Sequence, residues 1–314
     1  MGRSVLVSGA NGRTGRAVTT ALRTHHAQPK VFVRNAAQWS ELRERGASLY
    51  AIGDMQDAAS IRAAMVGCDT VVHIGPPMHP AEVEITQNFL EAARTANVKK
   101  FVYYSVMHPL RREVRHHRLK LDAEESVIES GLRYVIVQPS RYMQHLQSIW
   151  AEVLSAGLHA MPFNTHVAFN VVHLADLAEA TAIVTMSADF DFGTFELAGP
   201  EALSQNDMAR IISMVTGKPV RAQVADMAAV AAKARAAGVN EDRISQMTIM
   251  NEHYNRYGFR GNSQVLRAIL GRAPTDFRAY VESLNAATTM RAAYGSGRTI
   301  DLSVNSRSVA IHDS

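Results

Sequence analysis

The sequence predicts an α/β protein with a doubly wound parallel sheet and a smaller, mostly helical domain after it. Short apolar, β-branched runs alternate with longer helical patterns through residue 140, and this alternation is typical of βαβ units. Gly9, Gly12 and Gly15 lie between the first apolar run and an amphipathic helix. The chain has 314 residues, which favours one large α/β unit with an appended part.

Six strands and five helices are predicted in the first half of the chain. The strands are Val5–Val7, Lys30–Arg34, Ala47–Ile52, Thr70–Ile74, Lys100–Ser105 and Tyr134–Gln138. The helices are Thr14–Thr24, Trp39–Arg45, Ala58–Met65, Ala81–Ala96 and Leu119–Ser130. Gly46, Gly67 and Gly131 each follow a helical pattern at a place that favours a left-handed residue. Asp57 or Ser60 can cap the third helix.

Beyond Pro139 the pattern loosens, and the chain is expected to leave the sheet. A helical stretch is predicted over Tyr142–Ala156 and an irregular segment over Met161–Asn170, and Phe195-Glu196-Leu197 before Gly199-Pro200 predicts one return strand. The predicted domains are 1–155 for the sheet, which the chain rejoins at about 170–200, and 201–290 for the smaller, mostly helical part. The structure of residues 291–314 is left open.

The composition is that of an ordinary globular protein. Hydrophobic residues make up 47% of the chain and charged residues 20%, which indicates neither disorder nor membrane spans. An apolar strand pattern begins at residue 4, so no leader peptide is expected. We therefore expect a soluble, cytoplasmic protein. The single cysteine, Cys68, excludes an internal disulfide, and we expect a buried thiol and no metal site.

The charge gives only weak information about partners. A net charge of +4 over 314 residues is a weak field, so no nucleic-acid partner is expected. A basic cluster fits either a solvated face or part of a cofactor or substrate site. It comprises Arg111, Arg112, Arg115, His116, His117, Arg118 and Lys120.

The loop Gly9-Ala10-Asn11-Gly12-Arg13-Thr14-Gly15 predicts a dinucleotide site, because it lies between a strand and a helix. The first glycine permits a tight turn, the second lets the backbone approach a pyrophosphate, and the third lets the helix pack close to the sheet. The N-terminus of the following helix supplies unpaired N–H groups and a partial positive charge to the phosphates.

A cation at the end of the second strand favours NADP(H) over NAD(H). An NAD enzyme usually carries an acid there, whereas the 2′-phosphate of NADP needs a positive charge, and this place holds Arg34. Its guanidinium can bind a phosphate bidentately, and Arg13 can add a second charge. The alternative is an ordinary exposed arginine at a strand end.

Two further loops are predicted at the same edge of the sheet. Asp54 can accept from the adenine amino group while Met55 packs on the ring, although Asp54 fits a turn or cap residue almost as well. Gly75 and Pro76 end the fourth strand, where open α/β sheets bind ligands. They are expected to border the nicotinamide ribose or to form a rigid connection.

These residues resemble the NmrA-like family of atypical short-chain dehydrogenase/reductases, which have a Rossmann fold. The resemblance covers about residues 3–283 and rests on the glycine loop with Arg34, Phe101 to Ser105, Lys120 to Glu124 and Tyr134 to Met143. It implies NADP(H) as the cofactor. Further matching stretches in the second half are Phe195 to Pro200, Leu203-Ser204, Val215 to Val220 and Leu270 to Pro274.

The sequence departs from the catalytic pattern of the larger superfamily, which places a tyrosine four residues before the lysine. Here His116 precedes Lys120 by that spacing. The resemblance implies that Lys120 binds the nicotinamide ribose and that the proton comes from solvent or another group. His116 or His117 can supply it, since imidazole titrates near neutral pH, but a surface histidine is the alternative. Ser105 is expected to contact cofactor or substrate.

The segment after the sixth strand is expected to line the substrate pocket. The resemblance implies that the loop from Pro139 passes beside the nicotinamide, and Tyr142, Met143 and Trp150 can line an aromatic-accepting pocket if they share a helical face. An apolar core face is the alternative. The segment Asn170 to Ala180 resembles the family's return segment, in which Asp176 is expected to cap a helix and His173 to face the cleft.

Two functions fit these observations. The first is an NADPH-dependent oxidoreductase that transfers hydride to a small quinone-like or carbonyl-bearing aromatic substrate. The second is a non-catalytic redox sensor that binds NADP(H) and acts through a protein partner, because the superfamily's Tyr-x-x-x-Lys chemistry is missing. The enzyme is favoured, since Lys120 and two histidines beside an expected pocket are more than binding requires. Homodimerisation is left open.

Overall fold

In the computed structural model, residues 2–44 and 46–294 are described, without the side chains of 291–294. The strands, in chain order, are β1 Ser4–Val7, β2 Gln28–Val33, β3 Leu49–Ile52, β4 Thr70–His73, β5 Lys100–Tyr104, β6 Arg133–Pro139, β7 Arg141–Tyr142, β8 Leu158–Met161, β9 Phe169–Val172, β10 Gly193–Leu197, β11 Ala202–Leu203 and β12 Arg221–Val224. The helices are α1 Arg13–Thr24, α2 Ala36–Glu44, α3 Ala58–Met65, α4 Glu82–Thr95, α5 Arg115–Ile128, α6 Trp150–Ala156, α7 Leu174–Met186, α8 Gln205–Thr216, α9 Met227–Ala236, α10 Glu241–Tyr257, α11 Gln264–Leu270 and α12 Phe277–Tyr294.

Seven strands form one parallel sheet in the order β10-β6-β5-β4-β1-β2-β3. The order reverses between β1 and β4, so the sheet is doubly wound, as predicted. In such a sheet ligands bind at the carboxyl ends of the strands beside the reversal. The predicted return strand is β10, which pairs with β6 in parallel, Phe195 lying opposite Val137.

The central strands form because their apolar residues are covered on both faces. Every residue of β4 and β5 is buried, as expected of parallel strands between two helical layers. One core cluster joins the sheet to α3, α4 and α5 through side chains such as Phe89, Phe101 and Val127. The thiol of Cys68 is buried in it, as predicted.

The local signals for helix ends are confirmed. Asp57 is the N-cap of α3, its carboxylate accepting from the backbone N–H groups of Ala59 and Ser60. Gly46, Gly67 and Gly131 all have a positive φ, which residues with a side chain rarely adopt.

The chain separates into two compact units. Among the described residues, the first contains 2–139, 177–197 and 268–270, and the second contains 140–176, 198–267 and 271–294. The first segment of the first unit ends at Pro139, whereas the sequence predicted a limit at 155. Of the segment 291–314, whose structure the sequence left open, residues 291–294 are the end of α12 and 295–314 lie outside the described residues.

The second unit combines helices with two small sheets, β11-β9-β7 and β12-β8. Its helices α8 and α12 pack together. The continuous helix predicted over Tyr142–Ala156 is wrong: Arg141 and Tyr142 form β7, Met143–Ile149 is a 3-10 segment, and only α6 is α-helical. The parallel pairing of β7 with β9 outweighs the helical preference of the sequence.

Within 2–44 and 46–294, no helix has the length and apolar character needed to cross a membrane.

Candidate functional site

The glycine turn after β1 is tightly packed in the first unit. Gly9 has a φ of +61°, and a Cβ there would lie 2.6 Å from the carbonyl oxygen of Ile74. A Cβ at Gly15 would overlap the backbone of Gly9 and Ala10. Gly12 donates its N–H to the Gly9 carbonyl at 2.9 Å and is the N-cap of α1. The first and third glycines are therefore required by packing, whatever the turn binds.

The N-terminus of α1 is suited to an anion. Gly12 provides no side-chain cap, and the first turn contains no acidic residue, so no carboxylate of this turn offsets the positive end of the helix dipole. Arg13 is exposed and Thr14 partly exposed in this turn. The Asn11 side chain is fixed, because Arg16 donates to its Oδ1 at 2.7 Å and to its carbonyl at 2.8 Å.

Arg34 follows β2 and is exposed. Its backbone N–H donates to Gln38 Oε1 at 2.9 Å, which orders the main chain at the strand end. Its guanidinium makes no ion pair with a residue that the structure describes. An exposed guanidinium at this position is suited to a phosphate.

The loop after β3 is a turn stabilised by its own side chains. Asp54 Oδ1 accepts from the Gln56 N–H at 2.9 Å, and Ser60 Oγ donates to the Asp54 carbonyl at 2.9 Å. This is the turn role that the sequence left as an alternative. Asp54 is exposed, and Met55 is partly buried against the core.

A buried ion pair lies at the carboxyl ends of β4 and β5. Lys120 Nζ, from α5, is 2.6 Å from Glu82 Oε1 on α4 and donates to the Tyr104 carbonyl at 2.9 Å. The hydroxyl of Tyr103 donates to the same Glu82 oxygen at 2.8 Å. The charges of Lys120 and Glu82 therefore offset each other, with both residues 5% exposed or less.

The charged form of Glu82 is favoured in this network. Burial raises the pKa of Glu82, but the charge of Lys120 and the hydrogen bonds from Lys120 and Tyr103 outweigh it and bring the pKa below its ordinary value. Burial also raises the pKa of Tyr103 well above its ordinary range, and the Glu82 carboxylate adds to that effect. Tyr103 is thus a phenol, not a phenolate, at neutral pH.

The last residue of β4, His73, is fully buried beside this pair. Its Nδ1 is 2.9 Å from Ser8 Oγ and its Nε2 is 3.4 Å from Thr86 Oγ1. Its ring stacks on Phe89 at 4.2 Å between centroids. Burial lowers the pKa of His73 to about 3, so the imidazole is neutral at pH 7.

The carboxylate of Glu82 also lies against the loop after β4. A Cβ added to Gly75 would lie 2.9 Å from both carboxylate oxygens of Glu82. Gly75 and Pro76 are partly buried. The absence of a side chain at Gly75 therefore lets the loop approach the ion pair.

Ser105 and Pro139 lie at neighbouring strand ends. Ser105 is buried and its N–H donates to the Val137 carbonyl at 2.9 Å, while Met107 donates to the Pro139 carbonyl at 3.0 Å. Below them, Gln138 Nε2 lies 2.9 Å from each carboxylate oxygen of Glu124. Burial raises the pKa of Glu124.

The expectation that His116 titrates near neutral pH is wrong. Burial, followed by the charge of Lys120, lowers the pKa of His116 to about 3. His117 is fully buried, its Nδ1 is 2.8 Å from the His108 carbonyl, and burial lowers its pKa to about 3 as well. Neither ring is therefore an imidazolium at pH 7, the form that acts as a general acid.

Two of the three predicted pocket residues line a cavity within the second unit. Tyr142 and Met143 lie on a cavity of about 450 Å³, a volume that includes its mouth open to solvent. Trp150 does not line it. Trp150 is buried and its Nε1 donates to Thr288 Oγ1 at 2.9 Å. Because Tyr142 is in a strand, it shares no helical face with Trp150.

The prediction that Asp176 caps a helix is wrong. Asp176 is 1% exposed, with one carboxylate oxygen 2.8 Å from Arg272 Nη2 and the other accepting from the Thr275 N–H at 2.6 Å. His173 is buried and its ring lies 5.4 Å from that of Tyr280. Within the described ranges, no group of three or more His, Cys, Asp or Glu side chains is placed to hold a metal ion.

Sequence reasoning missed Glu82, Tyr103, His73 and Arg141. Glu82 fits the pattern of an acid in the first turn of a helix, which explains it without any partner. Its contact with Lys120 spans 38 residues of sequence, and no local pattern indicates such a pair. Arg141 lines the cavity of the second unit. Its place in the segment after β6 was the one feature of the sequence that pointed to it.

Two curated reductases are similar to this chain in sequence. NAD(P)H azoreductase of Xenophilus azovorans is 29% identical over 218 residues, covering 69% of this chain and 75% of that protein. Quinone oxidoreductase 2 of Escherichia coli K12 is 23% identical over 286 residues, covering 89% of this chain and 98% of that protein.

Solved structures share the fold at lower identity. Citrobacter sp. triphenylmethane reductase complexed with NADP(H) matches with a TM-score of 0.77 and 21% identity, covering 90% of this chain and 99% of that one. Escherichia coli NADPH-dependent quinone oxidoreductase complexed with NADPH matches with a TM-score of 0.78 and 22% identity, covering 89% of this chain and 99% of that one. The model of the NmrA-like family matches residues 1–288, and the chain belongs to this family.

Proposed function

We propose that this protein is an NADPH-dependent reductase that transfers hydride to a small quinone-like or carbonyl-bearing aromatic compound. The observation that carries the proposal is the tightly packed glycine turn before α1, a helix with no acidic residue in its first turn, together with the exposed Arg34 at the end of β2. Its relatives include an NAD(P)H azoreductase and a quinone oxidoreductase.

The residues of the first unit fit the parts of NADPH. The N–H groups of α1 suit the pyrophosphate, with Arg13 and Thr14 in the same turn, and Arg34 suits the 2′-phosphate. Asp54, Met55, Gly75, Pro76, Ser105 and Pro139 are proposed to border the remaining groups. Bound NADPH supplies the hydride.

Lys120 is proposed to position the nicotinamide ribose. An ammonium has three donors, of which one faces Glu82 Oε1 and one the Tyr104 carbonyl. The third donor remains for a ribose hydroxyl. The Glu82 carboxylate, 2.6 Å away, holds the ammonium in place.

Solvent is the proposed proton source. Reduction of a quinone to a hydroquinone takes one hydride and one proton, and neither His116 nor His117 is a protonated imidazolium at pH 7. A hydroquinone oxygen formed beside solvent takes its proton from water. Homodimerisation stays a prediction.

The test is turnover by the purified protein. NADPH oxidation, followed by the absorbance of the reduced nicotinamide, is measured against a panel of quinones, azo dyes and aromatic carbonyl compounds. At least one quinone or carbonyl compound is expected to be reduced, with NADPH preferred over NADH. Tight NADPH binding with no turnover of any compound would contradict the reductase and favour the NADP(H)-binding sensor.

A further inference from the structure

The cavity of the second unit has aromatic walls. Phe163, Phe169, Phe277 and Tyr142 line it, and the rings of Phe163 and Phe169 lie 4.7 Å apart. Apolar and aromatic walls with a few polar groups are typical of sites for small organic ligands. A planar ring suits such walls, because aromatic pairs gain from stacked and edge-to-face contacts.

One strong cation lies in this apolar cavity. Arg141 is partly buried on β7, and its guanidinium carbon lies 5.0 Å from the centroid of the Phe163 ring. Its Nη2 also lies 4.0 Å from Met161 Sδ, and Tyr254 and His159 lie close enough to interact with its charge. No carboxylate of the described residues forms an ion pair with Arg141.

The charge of Arg141 is therefore uncompensated within the described part of the protein. Burial lowers the pKa of Arg141 to about 10, so the guanidinium is still protonated at pH 7. Withdrawing an ion from water without a partner is unfavourable, and a cation–π contact offsets only part of that cost. A ligand with a negative charge would supply the missing partner.

Two buried polar atoms beside Arg141 also lack partners. His159 and Gln205 line the same cavity and are 3% and 2% exposed. Gln205 Nε2 donates to the Phe163 carbonyl at 2.5 Å, while Gln205 Oε1 and His159 Nδ1 have no hydrogen-bond partner. Gln205 Oε1 can accept from a hydroxyl of a ligand.

We propose that this cavity binds a planar aromatic anion, with its acidic group paired to Arg141 and its ring packed against the aromatic side chains of the wall. The claim that this ligand is the compound reduced rests on the proposed function. The substrate would then be an aromatic quinone or carbonyl compound that carries a carboxylate, and a hydroxyl beside it would meet Gln205.

Binding of benzoate and benzamide to the full-length protein, without NADPH, tests the site by titration calorimetry. The two ligands differ in charge and share the ring. In Arg141→Met the affinity for benzoate is expected to fall about tenfold to a hundredfold, because a charge-assisted contact is lost, while that for benzamide stays the same. Arg221→Met is the matched control, since Arg221 is exposed on β12 and does not line the cavity.

Thermal melting separates the binding role from a structural one. Methionine keeps the apolar stem and removes an unpaired charge, so the melting temperature of Arg141→Met is expected to be unchanged or higher. Equal benzoate affinity in the wild-type and Arg141→Met proteins would overturn the proposal, as would an equal loss for benzoate and benzamide.

Turnover distinguishes the site from the proposed function. For a carboxylate-bearing quinone, kcat/KM is expected to fall in Arg141→Met by the factor seen for benzoate, a larger loss than for an uncharged quinone, whereas Arg221→Met is expected to reduce both compounds as the wild type does. Arg141-dependent benzoate binding with no turnover of any quinone would refute the reductase and leave the anion site. Normal turnover with no dependence on Arg141 would refute the site and leave the reductase.

Discussion

Lowering the pH is expected to destabilise the first unit through His73. Burial is the largest cause that lowers the pKa of His73 to about 3, against an opposing attraction to Glu82, whereas histidine in an unfolded chain titrates near pH 6.5. Between these values only the unfolded chain binds the proton, so the free energy of unfolding falls as the pH falls. From about pH 7.5 to about pH 5.5 this loss is about 1.4 kcal/mol for His73 alone.

The variant His73→Gln isolates this contribution. Glutamine keeps an amide that can hydrogen-bond Ser8 or Thr86 but has no proton to gain. The variant is expected to be less stable at both pH values, since it loses the ring stacked on Phe89, yet its deficit relative to wild type should shrink by about 1.4 kcal/mol at about pH 5.5.

Urea unfolding at both pH values measures the deficit. Trp39 lies in the first unit and Trp150 in the second, so in a Trp150→Phe background tryptophan fluorescence follows the first unit. Val31→Ala is the control, because Val31 is buried in the first unit and has no titratable group, so its deficit should be the same at both pH values. The same deficit for His73→Gln at both pH values would show that His73 takes up a proton in the folded protein and would refute the reasoning.

Two further predictions concern the cofactor site. Arg34→Ala is expected to weaken NADPH binding by about tenfold to a hundredfold, because it removes a charge-assisted contact of roughly 1.5–3 kcal/mol. The affinity for NADH is expected to stay nearly unchanged. A fluorescence titration measures both affinities, and an equal loss for NADPH and NADH would assign Arg34 a structural role. Lys120→Met is expected to lower the free energy of unfolding by about 3–5 kcal/mol, because it leaves the Glu82 carboxylate buried without its partner, and Lys120→Met/Glu82→Gln should recover most of that loss. Single-turnover NADPH oxidation should stay slow in the double variant, and wild-type rates there would contradict the ribose role of Lys120.

The parts of the fold that local sequence predicts are those that local physics determines. The strands of the main sheet appear as apolar runs because both of their faces are covered, and the turn after β1 appears in its glycines because a Cβ does not fit at Gly9 or Gly15. The N-cap Asp57 acts within three residues of itself. Each of these signals spans less than one helix or strand.

Contacts between distant segments were not predictable in the same way. Asp176 looked like a cap, but its carboxylate bonds Arg272, 96 residues away. Tyr142 followed a helical pattern, yet pairing of β7 with β9 fixes it in a strand. The low pKa of His116 follows from burial, whereas its sequence neighbours are basic and indicated a solvated face.

The position of Glu82 explains two features that looked unrelated in the sequence, the buried Lys120 and the glycine at position 75. Lys120 can lie 5% exposed because the Glu82 carboxylate offsets its charge, and Gly75 has no room for a Cβ because the same carboxylate lies against it. The sequence left Gly75 as either a border of the nicotinamide ribose or a rigid connection. Weaker NADPH binding by Gly75→Ala would therefore be expected even without contact between Gly75 and the cofactor, since the added Cβ must displace Glu82 and, through it, the ammonium of Lys120.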